Sequence, residues 1–169
     1  MKIERLSEDN FIVFLNNLYI NNHNLELKVN LEECFKNLFK ILSNSYNINI
    51  SGYYDIKIYC DKLYGYVLDI KREELDFYDY YDEQIDMKIS VNESQKFLFK
   101  LKDTSVLNNM ILEYCHLFKD EKDVYIIPKK TINQQLLGNI IENSEIIYGS
   151  LAKKILMRCK NIKTKQVFV

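Results

Sequence analysis

The sequence contains few of the residues on which ligand-binding loops and metal sites depend. Its 169 residues include four Gly, four Cys, two His and one Pro. The glycines are Gly52, Gly65, Gly138 and Gly149. They are too far apart for G-x-G-x-x-G or G-x-x-x-x-G-K-[ST], which excludes nucleotide binding through a glycine-rich loop. The cysteines include no C-x-x-C pair, and structural zinc requires paired ligands, so we expect neither a metal ion nor a cofactor.

Long apolar runs and an excess of one charge are also missing. No apolar run approaches the roughly 20 residues that cross a bilayer, and residues 1–5 contain no apolar segment of a signal peptide. We therefore expect a cytoplasmic protein with reduced cysteines and no membrane partner. Lys plus Arg is 23 and Asp plus Glu is 24, for a net charge of −1. Because phosphate backbones attract basic surfaces, we expect no nucleic-acid partner.

The overall composition is typical of a folded domain from an AT-rich genome. Hydrophobic residues make up 47% and charged residues 28%, which is enough apolar material for a core. Ala occurs once, at Ala152, and Pro once, at Pro128, while Asn, Ile, Lys and Tyr are abundant. This bias indicates a low-GC bacterium or its phage.

Hydrophobic patterns predict an α+β fold made of two small sheet-plus-helix halves, each with an antiparallel or mixed sheet covered by helices. Residues 1–71 predict an N-terminal ββαββ domain. It begins with a hairpin over 2–15, followed by a polar connection over 16–24. A helix over 31–42 has its apolar residues on one face and Asn30 as its cap, and Ser43-Asn44-Ser45 is expected to break it. Two alternating strands over 55–60 and 66–71 follow.

Residues 85–169 predict a C-terminal ββαβα domain with a basic C-terminal element. We expect a hairpin formed by 85–91 and 97–101, and then a helix that Asp103 caps and that extends to Phe118. A strand over 124–127 ends at Pro128. Thr131 and Gln134 have the spacing of a capping box for the next helix.

An acidic, tyrosine-rich segment over 72–84 separates the two predicted domains. Acidic residues are interleaved there with Phe77 and tyrosines, and no Lys or Arg occurs after Arg72. One interpretation is a solvated linker. The other is a contact surface, since tyrosine provides rigid, amphipathic contact area. The candidate partner-binding residues of this segment are Asp76, Asp79, Tyr80, Tyr81 and Asp82.

The C-terminal segment after Gly149 contains six basic residues and no acidic one. We expect Gly149 and Ser150 to introduce a last helical stretch that carries Leu151, Ile155, Leu156 and Cys159. The basic residues are Lys153, Lys154, Arg158, Lys160, Lys163 and Lys165. A solvated helix face, paired with the acidic segment, is one interpretation. Binding to nucleic acid or anionic lipid is the other, but few apolar or aromatic anchors accompany the charges.

Cys115 and His116 are adjacent potential metal ligands or catalytic groups. We expect both on a helix, where neighbouring side chains point about 100° apart and cannot face each other. A cysteine nucleophile would need His23 within hydrogen-bond reach instead. The simpler interpretation is a buried helical thiol beside a surface imidazole, so we predict no catalytic residue.

Three segments carry a resemblance to a known family. The hexapeptide MKIERL at 1–6 precedes a polar turn and an alternating strand, and FLFKLKD at 97–103 precedes a helix. YII at 125–127 is followed by a helix and by Tyr148-Gly149. In this order they resemble the MecA adaptor family. The resemblance implies a non-enzymatic adaptor whose N-terminal domain holds client proteins and whose C-terminal domain docks on a AAA+ Clp unfoldase. It adds Tyr148 and Gly149 to the candidate partner-binding residues.

These observations predict a protein-binding adaptor or regulatory module without chemistry of its own. Two other function classes stay open. One is a structural subunit or homodimeric interaction protein. The other is a small enzyme that uses carboxylates of the acidic segment, although that segment shows no two carboxylates in contrasting environments.

Overall fold

The computed structural model describes residues 1–23, 25, 31–46, 51–74, 84–93, 96–129 and 132–162. It confirms the α+β class, because the described chain forms two five-stranded sheets accompanied by five α-helices. The chain divides into two compact units. The first comprises Met1–Cys60 and Gly65–Glu93, and the second comprises Asp61–Tyr64 and Ser94–Val169.

The first unit contains one mixed sheet with the strand order β1-β2-β4-β3-β5. Its strands are β1 (Lys2–Arg5), β2 (Asn10–Asn16), β3 (Gly52–Asp61), β4 (Gly65–Glu73) and β5 (Ile85–Asn92). The predicted hairpin near the N-terminus is confirmed, since β1 and β2 pair antiparallel. β2 also pairs antiparallel with β4, whereas β5 pairs parallel with β3.

Two helices accompany this sheet, α1 (Asn17–Asn22) and α2 (Leu31–Tyr46). α1 replaces the predicted polar connection. It forms because Asn16 accepts the Tyr19 N–H through its side chain at 2.8 Å and Ile20 is buried. The prediction of α2 is confirmed, but the helix continues through the expected break at residues 43–45. Asn30, the predicted cap, lies outside the described residues.

The core of the first unit lies between α2 and one face of the sheet. Phe39 of α2 is fully buried there, with its ring centroid 6.4 Å from that of Phe11 and 4.6 Å from that of Tyr54. Because side chains alternate along a strand, every second residue of β2 and β3 faces α2. The strand residues in this core are Phe11, Val13, Leu15, Tyr54, Ile56, Ile58, Cys60, Leu68 and Ile70.

The second unit contains a sheet with the order β10-β7-β8-β6-β9 in which all observed pairs are antiparallel. Its strands are β6 (Leu98–Leu101), β7 (Cys115–Lys119), β8 (Val124–Pro128), β9 (Ser144–Ile147) and β10 (Lys160–Ile162). Its helices are α3 (Asn109–Tyr114), α4 (Gln134–Glu142) and α5 (Gly149–Arg158), and a 3-10 turn spans Thr104–Val106.

Apolar residues are buried on both faces of the second sheet. On one face, Leu98, Tyr125 and Ile147 form a core cluster with Ala152 of α5. The opposite face is buried as well, because Phe99 and Ile126, which alternate with Leu98 and Tyr125, are not exposed. The apolar residues of α4 are also buried: Leu136, Leu137, Ile140 and Ile141.

Residues 61–64, at the turn between β3 and β4, belong to the second unit. The buried carboxylate of Asp61 accepts the Leu63 N–H at 2.9 Å and the Phe97 N–H at 3.2 Å. The Tyr64 hydroxyl donates to the Pro128 carbonyl at 3.1 Å, and the Tyr64 ring packs edge-on against Phe99. Burial is the main cause that raises the pKa of Tyr64, and the negative charge of Asp61 raises this pKa further. These contacts fix the turn as part of the second unit.

The predicted domain boundary is wrong for the strand at 85–92. The strand is predicted at the start of the second domain, in a hairpin with 97–101, but it pairs with β3 in the first sheet. Ile85, Met87 and Ile89 pack against the core of the first unit, which explains the alternating pattern. The assumption that strands adjacent in sequence pair with each other failed here. Of the predicted linker, residues 75–83 lie outside the described residues.

The predicted helix up to Phe118 is also wrong. Asp103 caps only the 3-10 turn, through Ser105 N–H at 2.8 Å, and α3 ends at Tyr114. Residues 115–119 form β7, in which Cys115 and Leu117 are buried, His116 is exposed and Phe118 is half-buried. This alternation has the period of a strand, and β7 gains its hydrogen bonds by pairing with β8.

Two short strands and one cap were missed in the second unit. The cap of α4 is Asn133, whose side chain accepts the Leu136 N–H at 2.7 Å, rather than the predicted Thr131, which lies outside the described residues. β9 and β10 are four and three residues long and too short to show a clear pattern in the sequence.

Candidate functional site

The structure describes two of the seven predicted partner-binding residues. Tyr148 and Gly149 join β9 to α5, whereas five residues lie outside the described chain: Asp76, Asp79, Tyr80, Tyr81 and Asp82. The structure therefore does not bring the two groups of predicted residues together on one described surface.

Tyr148 and Gly149 form the turn that starts α5. Tyr148 is extended, with φ −140° and ψ 175°, and its side chain is half-buried. Gly149 is buried with φ 63°, a left-handed conformation that favours glycine because it has no Cβ. The geometry thus explains the Tyr-Gly pair as a turn, and part of the Tyr148 side chain reaches the surface next to α5.

The two sides of α5 differ sharply in their surroundings. Ala152 is buried against Leu98, Tyr125 and Ile147, with Ile155 packed beside it. On the opposite side, Met157 is 86% exposed. Leu151 is 53% exposed and lies at the margin of the contact with the sheet.

Basic side chains surround these exposed apolar residues. Lys153, Lys154 and Arg158 are all exposed on α5, on the same side as Met157. We call Leu151, Lys153, Lys154, Met157 and Arg158 the α5 surface. Methionine and arginine are enriched in protein interfaces, and an exposed thioether adapts its shape to a partner. The α5 surface therefore combines apolar contact with positive charge and is suited to an acidic protein surface.

An apolar pocket opens in the first unit between α2 and the sheet. Its empty space is about 290 Å³, including open solvent at its mouth. The lining residues are apolar except for one thiol and one phenol: Leu15, Leu25, Leu31, Cys34, Phe35, Leu38, Tyr66 and Leu68. This lining includes no charged side chain, so the pocket offers contact to an apolar group rather than acid–base chemistry.

A small cluster of charged side chains on β3 and β4 was not predicted from the sequence. Lys57 Nζ lies 3.5 Å from Asp55 Oδ2. Burial raises the pKa of Asp69, while the charge of Lys57 lowers it and that of Asp55 raises it. These residues do not line the apolar pocket.

Cys115 and His116 cannot act together, although the reason differs from the predicted one. They are neighbours on β7, where successive side chains point to opposite faces of the sheet. Cys115 is buried, and burial raises the pKa of its thiol to about 11. His23, in the first unit, stacks on Tyr19 with ring centroids 4.0 Å apart. The thiol is therefore protonated at neutral pH and unsuited to nucleophilic attack.

The four cysteines differ enough in exposure to predict their reactivity. Cys60 and Cys115 are buried, and burial is the main cause that raises each pKa to about 11. Cys34 and Cys159 are half-buried. We expect an excess of N-ethylmaleimide at pH 7 to modify only Cys34 and Cys159 in the native chain and all four cysteines in urea, as measured by mass spectrometry. Rapid native labelling of Cys60 or Cys115 would contradict the described packing.

Comparison of the chain with protein families, curated proteins and solved structures gives no match. Within the described residues, no three His, Cys, Asp or Glu side chains lie together in a way that could hold a metal ion. None of the described helices has the length and apolar character needed to cross a membrane. The α5 surface and the apolar pocket therefore remain the candidate functional features.

Proposed function

We propose that this chain is a non-enzymatic, cytoplasmic adaptor that binds other proteins. In this proposal the second unit docks on a AAA+ unfoldase of the Clp type, and the first unit holds client proteins, as the resemblance to the MecA family implies. The observation that supports docking most directly is the α5 surface, where Met157 is 86% exposed beside basic residues.

The chemistry of the α5 surface favours a protein partner over a nucleic acid or a membrane. Its two exposed apolar residues, Leu151 and Met157, would gain from burial in a complex. The charges of Lys153, Lys154 and Arg158 would pair with acidic residues of the partner and orient it. The chain as a whole carries a net charge of −1, which disfavours binding to phosphate backbones.

The proposal predicts that removing the two apolar side chains weakens binding to the unfoldase. We expect Leu151→Ala/Met157→Ala to raise the Kd for a purified hexameric Clp unfoldase by about tenfold or more, because each side chain contributes roughly 1 kcal/mol when buried. Alanine preserves helix propensity, so α5 should stay folded. Binding would be measured by biolayer interferometry with the full chain immobilised.

A matched control uses exposed apolar residues on other helices. Leu18 of α1 and Met110 of α3 are both 49% exposed, so Leu18→Ala/Met110→Ala removes similar side chains elsewhere. This control should bind like the wild type. Docking through α5 is wrong if the wild type does not bind the unfoldase, or if both double variants bind equally well. Tight binding to duplex DNA or anionic vesicles instead would also contradict the proposal.

A further inference from the structure

β5 ends the first sheet and is the longest edge strand of the described chain. It has eight residues, whereas the edge strands β1, β9 and β10 have four, four and three. Proteins usually keep edge strands short or interrupt them with proline, because an unpaired edge can bind another strand. β5 contains no proline, and no described strand pairs with its outer side.

The hydrogen bonds of β5 show which backbone groups point outwards. The Gln84 carbonyl accepts the Gly52 N–H at 2.9 Å, so the backbone of Gln84 faces β3. Backbone groups alternate in direction along a strand, so those of Ile85, Met87 and Ile89 face away from β3. In agreement, the Met87 N–H is bonded to the Asp86 carboxylate at 2.8 Å rather than to β3. The outer edge thus offers three residues for pairing.

We propose that β5 pairs antiparallel with β5 of a second copy of this chain, with the twofold axis at Met87. Met87 then lies opposite Met87 of the partner subunit, and Ile85 lies opposite Ile89 of the partner subunit. All of these residues have outward backbone groups, so each of the three pairs exchanges two hydrogen bonds once the Met87 N–H gives up its bond to the Asp86 carboxylate, which is then free to face Lys88 of the partner subunit. The two five-stranded sheets become one continuous sheet.

The charges of β5 select this register. It places Asp86 opposite Lys88 of the partner subunit, and the twofold axis generates the same pair a second time. These are non-hydrogen-bonded positions, where opposite side chains come closest. If the twofold axis is moved to residue 86, Asp86 lies opposite Asp86 of the partner subunit. If it is moved to residue 88, Lys88 lies opposite Lys88 of the partner subunit, so both shifts bring like charges together. Of these three registers, only the one centred on Met87 places opposite charges face to face.

The inner face of β5 supports the same pairing. Ile85, Met87 and Ile89 pack against the core of the first unit and are only half-buried. In the pair, their exposed parts would lie against the same three residues of the second copy and be removed from water. The dimer thus combines an apolar row on the inner face with two charge pairs on the outer face. This inference does not depend on the proposed adaptor function.

Charge reversal tests the proposal on the full chain. We expect sedimentation equilibrium to give a wild-type mass of twice the 20.3 kDa of the chain. Asp86→Lys should raise the dimer dissociation constant by about tenfold or more, because both charge pairs become repulsive. Asp86→Lys/Lys88→Asp should restore the dimer. Lys88 lies opposite Asp55 within the sheet, so circular dichroism would check that each variant is folded.

Two further variants separate this interface from other surfaces. Glu4→Lys reverses an exposed charge on β1, at the opposite edge of the same sheet, and should leave the dimer unchanged. Met87→Cys should form an intermolecular disulfide under mild oxidation, because the axis brings the two positions together. Val91→Cys, near the end of the strand and away from the axis, should form much less of the intermolecular disulfide.

Several results would overturn the proposal. A wild-type chain that stays monomeric at 100 μM would exclude a second copy, and the edge would then be left for a strand of another protein. A dimer that is insensitive to Asp86→Lys would use another surface. A folded double-reversal variant that stays monomeric, or a dimer without the Met87→Cys disulfide, would exclude the register.

Discussion

Gly65→Ala is expected to destabilise the first unit by about 2–6 kcal/mol. Gly65 has φ 121°, a conformation that costs a residue with a side chain about 1–3 kcal/mol. A Cβ at this position would also clash with the Leu15 carbonyl oxygen of the neighbouring strand β2. Overpacking of this kind costs about 1–3 kcal/mol more, and backbone atoms cannot move aside as a flexible side chain can.

Urea denaturation followed by circular dichroism would measure the loss of stability, and Gly138→Ala is its matched control. Gly138 lies inside α4, and a Cβ there meets no atom within 4 Å. Because glycine is less favourable than alanine in a helix by about 0.5–1 kcal/mol, Gly138→Ala should stabilise the protein. If Gly65→Ala costs no more than 1 kcal/mol, the close approach of β2 and β4 at Gly65 is wrong.

The same position shows what could be predicted from the sequence. A short loop ending in Gly65 between two alternating segments predicted a hairpin connection, and β3 and β4 are indeed neighbours. The sequence did not show that Asp61 and Tyr64 in this loop pack into the second unit. Their contacts with Phe97, Phe99 and Pro128 join residues more than 30 positions apart, which no local pattern encodes.

Patterns were most informative where one face alone is buried. α2 has one buried and one exposed side, so its periodicity is clear and its prediction is confirmed. The segment 106–118 was harder, because apolar residues at Val106, Met110 and Phe118 fit a helix, whereas 115–119 alternates as a strand. Backbone pairing with β8 favours the strand over the helix. Because this pairing is a tertiary contact, the local sequence does not show it.

The candidate functional surfaces were predicted only in part. The basic residues of α5 were identified in the sequence, whereas the exposed Met157 beside them was not singled out. The missed signal was a methionine that stands among the basic residues of a helix. The edge position of β5 could not be predicted, because its alternation fits a strand in either unit and its partner β3 is more than 30 residues away.

Phe39→Ala is expected to be the most destabilising change in the core of the first unit. The structure buries Phe39 completely between Phe11 and Tyr54. Truncating a buried phenylalanine removes apolar contacts and leaves a cavity, at a cost of about 3–5 kcal/mol. This is a large part of the 5–15 kcal/mol by which a typical domain is stable.

The adjacent residue provides the control that isolates the effect of the ring. Lys40 is exposed on the same helix, so Lys40→Ala changes helix propensity by a similar amount without touching the core. It should leave the midpoint of urea unfolding nearly unchanged, whereas Phe39→Ala should lower it strongly. Amide hydrogen exchange should then increase in β2 and β3, whose Phe11 and Tyr54 lose their contact with the ring. Equal stability of the two variants would mean that α2 packs on the sheet through a different face, and the apolar pocket beside Phe35 and Leu38 would then be misplaced as well.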